Sequence, residues 1–234
     1  MANSDLVTAG SRRGRDLFWT LYSYAYDAIW DSPVSTALAQ RIAEMVGATS
    51  SVVSIGCGTG LCVQRLDPNT VVGVDISRSM LRRALSSGRI GRGVVADAKE
   101  TTLTAGCAVA VVVANVLHLH PDPVGVLAEG LRLLCPGGRL VLSWPTDTAD
   151  VNTVAATQRA LGWGRSRTLS ALTVSTVVGV LGLGCRVTRR RSEDLEGMIQ
   201  RGAQALSLET VEEGLVVGLQ HILVLQRKCD RAEG

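Results

Sequence analysis

The stretch SVVSIGCGTG, residues 51–60, joins a short run of β-branched residues to three closely spaced glycines. Valine and isoleucine favour strands, and the glycines that follow stop the strand at a turn. Gly56, Gly58 and Gly60 can adopt positive φ and let a ligand approach the backbone closely. A helix N-terminus beyond such a turn can accept an anionic group. The stretch therefore predicts a strand, a turn and a helix, with ligand binding or a simple tight turn as alternatives.

Strand-like and helix-like segments alternate from this stretch onward. We predict strands over 51–57, 70–77, 91–98, 107–117 and 139–144, and helices over 61–66, 79–87 and 124–134. After Trp144 the pattern loosens, and we predict helices near 152–161, 169–182 and 192–214, with strands over 185–191 and 219–227. Alternation at this pitch implies βαβ crossovers, so the fold class is α/β with a doubly wound, parallel sheet.

Two aspartates stand where predicted strands end. Asp75 ends the second strand in VVGVDIS, and Asp97 ends the third in VVADA. A carboxylate at the end of the second strand can accept hydrogen bonds from both hydroxyls of a ribose. The second carboxylate could accept from an exocyclic adenine amine. A helix cap or a solvated strand end is the alternative for each, but all three features in this order favour a nucleoside site.

Five motifs together carry a family resemblance over about residues 50–145: SIGCGTG, VVGVDIS, VVADA, VVANVLHLHPDP and LLCPGGRLVLS. In this order they resemble a class I S-adenosylmethionine-dependent methyltransferase of type 11. The G-x-G-x-G spacing differs from the G-x-G-x-x-G of hydride-transferring dinucleotide enzymes. Relatives often begin the fourth strand with an acidic residue, and here that place falls on Ala108 or Val109. The resemblance implies a Rossmann-like, mostly parallel seven-stranded sheet with helices on both faces and an N-terminal helical cap.

The resemblance also implies S-adenosyl-L-methionine as cofactor and S-adenosyl-L-homocysteine as product. It places the glycine turn beside the methionyl group, Asp75 on the ribose, and Asp97 on the adenine edge. Asn115 would present its backbone near the sulfonium. The implied cofactor-binding residues are Gly56, Cys57, Gly58, Gly60, Asp75, Ile76, Met80, Asp97, Ala98 and Asn115.

A catalytic base is optional in this chemistry, because alignment of the reactants alone can contribute about 7–11 kcal/mol. His118 and His120 in NVLHLHPDP are the candidate catalytic residues, since histidine titrates near neutral pH. Support of the cofactor or capping of the next helix is the alternative for both. His221 lies in an apolar run and is expected on a sheet face. The C-terminal half offers no acidic cluster, so we expect a metal-independent reaction.

Six of the eight aromatic residues lie in FWTLYSYAYDAIW, residues 18–30. On a helix, Phe18, Tyr22, Tyr26 and Trp30 form one stripe. The segment resembles the lead-in of phospholipid N-methyltransferases and quinone-biosynthesis C-methyltransferases. Three interpretations stay open: plain helix packing, a lid over the site, and a helix at a membrane surface. We predict a lid or cap over 1–33, a single methyltransferase domain over 34–234, and substrate binding by Tyr22, Tyr26, Trp30 and Trp144.

Composition restricts the partners of the chain. The formal charge of +3 and the absence of a basic arm argue against nucleic acid. Six widely spaced cysteines and no apolar leader indicate a cytoplasmic protein with reduced thiols. The uncharged stretch 168–185 contains Ser, Thr and Gly, which favours a buried segment over a membrane span. We expect a small-molecule or lipid-like acceptor, with a cofactor-binding module that does not methylate (a regulatory partner, a cyclase or an isomerase) as the alternative.

Overall fold

The β-branched runs of the chain form one sheet in the computed structural model, which describes residues 6–8, 23, 26–164 and 190–227. Its strands are β1 (Leu6–Thr8), β2 (Val52–Ile55), β3 (Val71–Asp75), β4 (Arg92–Val95), β5 (Ala108–Ala114), β6 (Leu134–Pro145), β7 (Leu208–Val216) and β8 (Gln220–Arg227). Their order across the sheet is β1-β4-β3-β2-β5-β6-β8-β7. The first six strands in this order run parallel, while β8 is antiparallel to both β6 and β7.

Five longer helices accompany the sheet in the described residues: α1 (Pro33–Val46), α2 (Arg78–Ser86), α3 (Pro123–Leu133), α4 (Val151–Ala160) and α5 (Ser192–Ala205). Residues 26–30 are helical as well. Four of the five begin at a side chain that accepts a hydrogen bond from the first turn, which satisfies backbone donors that lack a partner within the helix. These capping residues are Ser32, Ser77, Asp122 and Asp150.

The apolar core lies on both faces of the sheet. Val53 and Ile55 of β2 pack on one face with residues of α3 and α5, including Leu127 and Leu195. Val52 of the same strand packs on the other face with residues of α1 and α2. Adjacent strand residues point to opposite faces, so a strand buried on both sides needs a continuous apolar run. β5, with the sequence AVAVVVA, is such a strand.

The α/β fold and the mostly parallel sheet predicted from the sequence are confirmed. Six strands, β2 to β6 and β8, follow the predicted pattern. β7 lies mostly in a segment that was predicted to be helical, and β1 adds a short strand beside β4. β1 has only three residues, too few to show a periodic pattern in the sequence.

The helix predicted over 61–66 was wrong. The structure has only a 3₁₀ turn at Leu61–Val63, and a second 3₁₀ turn at Pro68–Thr70 leads directly into β3. Pro68 lacks a backbone donor and disfavours the α conformation at the residue before it, Asp67. The short connection therefore passes from turn to strand without a full helix.

The predicted helix over 192–214 was correct only in its first part. α5 ends at Ala205, and Ser207 adopts a positive φ of 54° before β7 begins at Leu208. Residues of β7 pair with β8 in an antiparallel hairpin. This pairing supplies hydrogen bonds that outweigh the weak helical pattern of residues 208–214.

Several predictions fall on parts of the chain outside the described residues. These are the helix over 169–182, nearly all of the strand over 185–191, and most of the aromatic segment. The division at residue 33 stays a prediction. In the described part of the chain, no helix combines the length and apolar character needed to cross a membrane.

Candidate functional site

The carboxyl ends of four neighbouring parallel strands meet at one edge of the sheet. Gly56 follows β2, Asp75 ends β3, and Asn115 follows β5. Asp97 comes two residues after β4. In open α/β sheets, ligands bind outside this edge. The structure thus brings together residues from four segments that are far apart in the sequence.

The turn after β2 requires glycine at its first position. Gly56 has φ of 63°, and a Cβ placed there would lie 2.4 Å from Cγ2 of Val116. The turn therefore packs directly against the loop that follows β5. A side chain at this position would have to displace Val116 and also adopt a conformation that L-residues rarely take.

The second glycine of the turn leaves open space above the backbone. Among the described residues, the atoms nearest to a Cβ placed on Gly58 belong to Tyr26, whose Cζ and hydroxyl oxygen are 3.9 Å away. The Gly58 N–H donates to Oδ2 of Asp75 at 2.8 Å. A ligand that approaches the turn here would meet backbone, the Asp75 carboxylate and the Tyr26 ring.

Asp75 is held by two backbone donors. Its Oδ2 accepts from Gly58 and its Oδ1 accepts from the Ser77 N–H at 2.9 Å. Each carboxylate oxygen can accept more than one hydrogen bond, so this arrangement orients the group without consuming its capacity. Such a fixed carboxylate suits a pair of adjacent hydroxyls.

Two half-buried cysteines in and just after the turn have raised pKa values. Burial raises the pKa of Cys57 well above its usual range, and the nearby Asp75 carboxylate raises it further. Burial raises the pKa of Cys62 to about 12. Gly73 makes room for Cys57, because a Cβ on Gly73 would lie 2.7 Å from its Sγ. Because of these raised pKa values, both thiols stay protonated at neutral pH. Only the thiolate form of a cysteine is a strong nucleophile.

Asp97 and His120, predicted for different roles, contact each other. His120 Nε2 lies 3.1 Å from Oδ1 of Asp97, and the Asp122 N–H donates to His120 Nδ1 at 3.1 Å. In the tautomer that accepts at Nδ1, Nε2 carries the hydrogen and donates it to Asp97. The Lys99 N–H also donates to Asp97 Oδ1, at 3.2 Å. Both ring nitrogens of His120 thus have partners within the protein, which does not favour its predicted role as a base.

The loop after β5 is clamped from the C-terminal part of the chain. The Arg190 guanidinium donates to the carbonyl oxygens of His120 and Pro121, and its backbone N–H donates to the His118 oxygen at 2.9 Å. The His118 side chain is buried. Burial leaves this second catalytic candidate little access to a substrate. No sequence pattern pointed to Arg190.

Asn115 provides a buried polar atom in the site. Its backbone has φ of 59°, and its N–H donates to the Ser143 oxygen at 2.8 Å. Its Oδ1 is buried and accepts no hydrogen bond within the described residues. A buried acceptor without a donor costs free energy, so this atom fits a donor supplied by a ligand. Together with the space at Gly58, this acceptor fits a polar ligand such as the implied cofactor.

The other implied cofactor residues differ in exposure. Ile76 and Ala98 are half-buried at the same edge of the sheet. Met80 is only 2% exposed, so its side chain belongs to the core rather than to an open surface. The structure therefore gives less support to a direct contact by Met80 than by the other two residues.

The predicted substrate-binding residues are separated by the structure. Tyr26 lies over Gly58, and its ring centroid is 6.5 Å from that of Trp30, which is 39% exposed. Trp144 is buried, donates from Nε1 to Ser192 Oγ at 3.0 Å and stacks on His221. This packing does not support the substrate role predicted for Trp144. Tyr22 lies outside the described residues.

An ionic contact that the sequence analysis missed joins the aromatic segment to the glycine turn. Asp27 Oδ1 accepts from the Thr59 hydroxyl at 2.5 Å, and its Oδ2 accepts from Arg89 Nη1 at 3.0 Å. Arg89 Nη1 also donates to the Thr59 oxygen at 3.1 Å. The only signal in the sequence was a lone acidic residue within YAYDAIW.

Parts of this chain are similar to known proteins. A family model described as a methyltransferase domain matches residues 53–142. A nocamycin O-methyltransferase from Saccharothrix syringae is 32% identical over 120 residues, which cover 46% of this chain and 43% of that protein. A trans-aconitate 2-methyltransferase from an Azoarcus species is 38% identical over 101 residues, covering 41% of this chain and 39% of that protein. The matches thus span less than half the length of these curated relatives.

A solved structure shares the fold across nearly the whole chain. It is a protein of Methanococcus maripaludis assigned to the S-adenosyl-L-methionine-dependent methyltransferases, with a TM-score of 0.62 and 14% identity. The similarity covers 97% of this chain and 99% of that chain. Residues 53–142 therefore match a methyltransferase domain, the two relatives of 32% and 38% identity are methyltransferases, and the fold is that of the Methanococcus maripaludis protein.

Proposed function

We propose that the chain transfers a methyl group from S-adenosyl-L-methionine to a small-molecule acceptor. The observation that carries this proposal is the oriented Asp75 carboxylate beside the open Gly58 backbone, 2.8 Å from the Gly58 nitrogen. The site lies within residues 53–142, the part that matches the methyltransferase domain.

Residues at the different strand ends would each bind a different part of the cofactor. Asp75 would accept from the two ribose hydroxyls, and Asp97 would accept from the adenine amine. The turn at Gly56, Cys57, Gly58 and Gly60 would lie along the methionyl group, and Asn115 would face the sulfonium region. Ile76, Met80 and Ala98 complete the proposed set. When bound, S-adenosyl-L-methionine supplies an activated methyl group and a neutral thioether leaving group.

The residues of the chain would act mainly by alignment and exclusion of water. Tyr26 over Gly58 provides an aromatic wall at the turn, and an aromatic face attracts a cationic centre. His120 holds Asp97 and would have a positioning role. His118 is buried and both ring nitrogens of His120 have partners within the protein, which supports an acceptor that reacts without strong assistance from either ring.

These features favour an acceptor that is already nucleophilic at neutral pH. A carboxylate, with a usual pKa near 4, is ionised under these conditions and needs no base. The two relatives carry the names of a nocamycin O-methyltransferase and a trans-aconitate 2-methyltransferase. We therefore place small organic acids and acidic hydroxyl compounds first among acceptors, ahead of the quinone and phospholipid types.

The experiment is a transfer assay with deuterium-labelled methyl on the cofactor. We would incubate the purified chain with panels of small carboxylic acids, phenols or enols, amines, quinols and phospholipid vesicles. Product masses would be measured by mass spectrometry. Labelled methyl esters or ethers, absent with Asp75→Ala, would support the proposal. Product only from vesicles would exclude the small-molecule assignment.

The alternative is a module that binds the cofactor without methylating. Fold alone does not decide between them, since the same fold can host different reactions. Saturable binding of S-adenosyl-L-homocysteine with no labelled product from any acceptor class would favour this alternative.

A further inference from the structure

One carboxylate connects the helical residues 26–30 to the glycine turn. Asp27 accepts from the hydroxyl of Thr59 in the turn at 2.5 Å and from Arg89 Nη1 at 3.0 Å. Thr59 is fully buried, and the side chains of Arg89 and Asp27 are 14% and 28% exposed. Interactions at this level of burial are screened by water less than surface pairs are.

Arg89 is itself fixed against the turn. A Cβ placed on Gly60 would lie only 2.8 Å from the Arg89 Cβ, so turn and arginine are in direct contact. Arg89 Nη1 donates to the backbone oxygen of Thr59 at 3.1 Å. Asp27 is therefore bound to the turn by two groups, the hydroxyl of Thr59 and the guanidinium of Arg89.

The neighbour of Asp27 in sequence covers the open part of the turn. Tyr26 approaches to 3.9 Å from a Cβ built on Gly58, where the structure otherwise leaves space for a ligand. Because Tyr26 and Asp27 are adjacent in the chain, a fixed Asp27 restricts where the Tyr26 ring can lie. Loss of Asp27 would leave a partly buried cation with a weaker partner and remove one constraint on the position of the Tyr26 ring.

We propose that Asp27 is a positioning residue that holds Tyr26 over the glycine turn through Thr59 and Arg89, and so sets the affinity for the methionyl end of the cofactor. This inference rests on the proposed function, because it assumes that the turn receives the methionyl group. Asp27 does not contact the ligand in this scheme. It acts through the placement of Tyr26.

Asp31 provides a matched control on the same segment. Its Oδ2 lies 3.5 Å from Arg89 Nη2, and its side chain is 50% exposed. The substitution Asp31→Asn removes the same negative charge as Asp27→Asn does. Because the distance is longer and Asp31 is more exposed, we expect Asp31→Asn to have a small effect on binding of the probes.

The test measures binding of two probes by calorimetry to the wild-type chain, Asp27→Asn and Asp31→Asn. S-adenosyl-L-homocysteine carries the amino-acid end, and 5′-methylthioadenosine lacks it. We expect Asp27→Asn to weaken binding of the first probe at least fivefold and of the second less than twofold. Asp31→Asn should change both less than twofold. Equal weakening of both probes by Asp27→Asn, or no weakening of either, would overturn the inference.

A second pair of variants covers the case in which Asp27→Asn fails to fold. Thr59→Ser keeps the hydroxyl that Asp27 accepts from, whereas Thr59→Val keeps the shape and removes the donor. We expect the valine variant to reproduce the probe-selective loss and the serine variant to retain wild-type affinities. Hydrogen exchange of residues 26–31 should slow on addition of S-adenosyl-L-homocysteine, and the valine variant should lose this effect.

Failure of the inference differs from failure of the proposed function. If the wild-type chain binds neither probe, the proposed function and the inference are both wrong. If the wild-type chain binds both probes and Thr59→Val behaves like Thr59→Ser, only the positioning role of Asp27 is wrong.

Discussion

The backbone N–H of Gly58 donates to Oδ2 of Asp75 at 2.8 Å and thereby joins the glycine turn after β2 to the end of β3. One hydrogen bond thus connects the two features that single out this edge of the sheet. A substitution at Gly58 should alter the orientation of the Asp75 carboxylate, and a substitution at Asp75 should alter the conformation of the turn.

Gly56→Ala should destabilise the fold through two effects. A left-handed backbone costs an L-residue about 1–2 kcal/mol, and the clash with Val116 should add roughly 1–3 kcal/mol. Gly88→Ala separates these effects, because Gly88 has the same φ of 63° with nothing within 4 Å of its Cβ position. Urea unfolding should give a larger loss for Gly56→Ala than for Gly88→Ala.

A double variant checks the origin of that difference. Val116→Ala removes both Cγ atoms that approach the Gly56 position. Adding Gly56→Ala to Val116→Ala should then cost no more than Gly88→Ala does. A loss as large as in the wild-type background would show that Val116 is not the cause.

His120→Gln should retain most of the turnover at saturating cofactor. The structure gives both ring nitrogens of His120 partners within the protein, so we expect a positioning role toward Asp97. His120→Ala should raise the Kd for S-adenosyl-L-homocysteine roughly fivefold, equivalent to about 1 kcal/mol. Steady-state kinetics and calorimetry measure these quantities. A fall in kcat of about 100-fold or more in His120→Gln would instead indicate general-base catalysis.

Thiol labelling should distinguish the exposed Cys107 from Cys57 and Cys62, whose pKa values are raised. At pH 8, a pKa of about 12 leaves Cys62 with a thiolate fraction on the order of 10⁻⁴. Cys57 behaves in the same direction. Cys107 is exposed and should react with iodoacetamide well before either, as peptide mass spectrometry would show. Rapid labelling of Cys57 or Cys62 in the folded chain would contradict the described packing of the turn.

The same thiols predict a loss of stability at alkaline pH. The unfolded chain releases these protons near the usual pKa of 9.0, whereas the folded chain retains them at higher pH. Above pH 9 the unfolded state therefore binds fewer protons, and the free energy of unfolding falls as pH rises. Replacing both cysteines with alanine should weaken this dependence between about pH 9 and pH 11. If the free energy of unfolding, measured by chemical denaturation, depends on pH equally in the wild-type chain and the double alanine variant, this prediction is wrong.

Tyr26→Ala should reduce methyl transfer more than it reduces the melting temperature. The ring lies over open space at Gly58, so its removal takes away a wall of the site and little of the core. Trp30→Ala is the comparison, because Trp30 is on the same helical segment and is exposed. Equal fractional losses of activity and stability in Tyr26→Ala would favour plain helix packing.

The sequence located the elements whose signals are local. The β-branched run before Gly56, the aspartates that follow the next two strands and the apolar run of β5 each depend on neighbouring residues. The structure brings these positions to one edge of the sheet, and the family resemblance had ordered them along the chain. Their contacts with the cofactor stay predictions.

Contacts between distant residues, and segments whose structure depends on a partner strand, could not be predicted from the sequence. Asp27 is 32 residues from Thr59 and 62 from Arg89, and no periodicity links positions so far apart. His120 and Asp97 looked like independent candidates because their contact forms only when the segments that follow β4 and β5 meet in the folded chain. Residues 208–214 became a strand because β8 offered a partner, a fact that their helical pattern does not contain.

The central claim is that the edge around Gly58 and Asp75 binds the nucleoside of the cofactor. The most direct test is a calorimetric titration of S-adenosyl-L-homocysteine into the wild-type chain and Asp75→Ala, with Asp67→Ala as a control on the exposed turn before β3. We predict saturable binding at one site per chain, weakened at least tenfold, or about 1.4 kcal/mol, in Asp75→Ala and unchanged in Asp67→Ala. Equal affinity for the wild-type chain and a folded Asp75→Ala would contradict the claim.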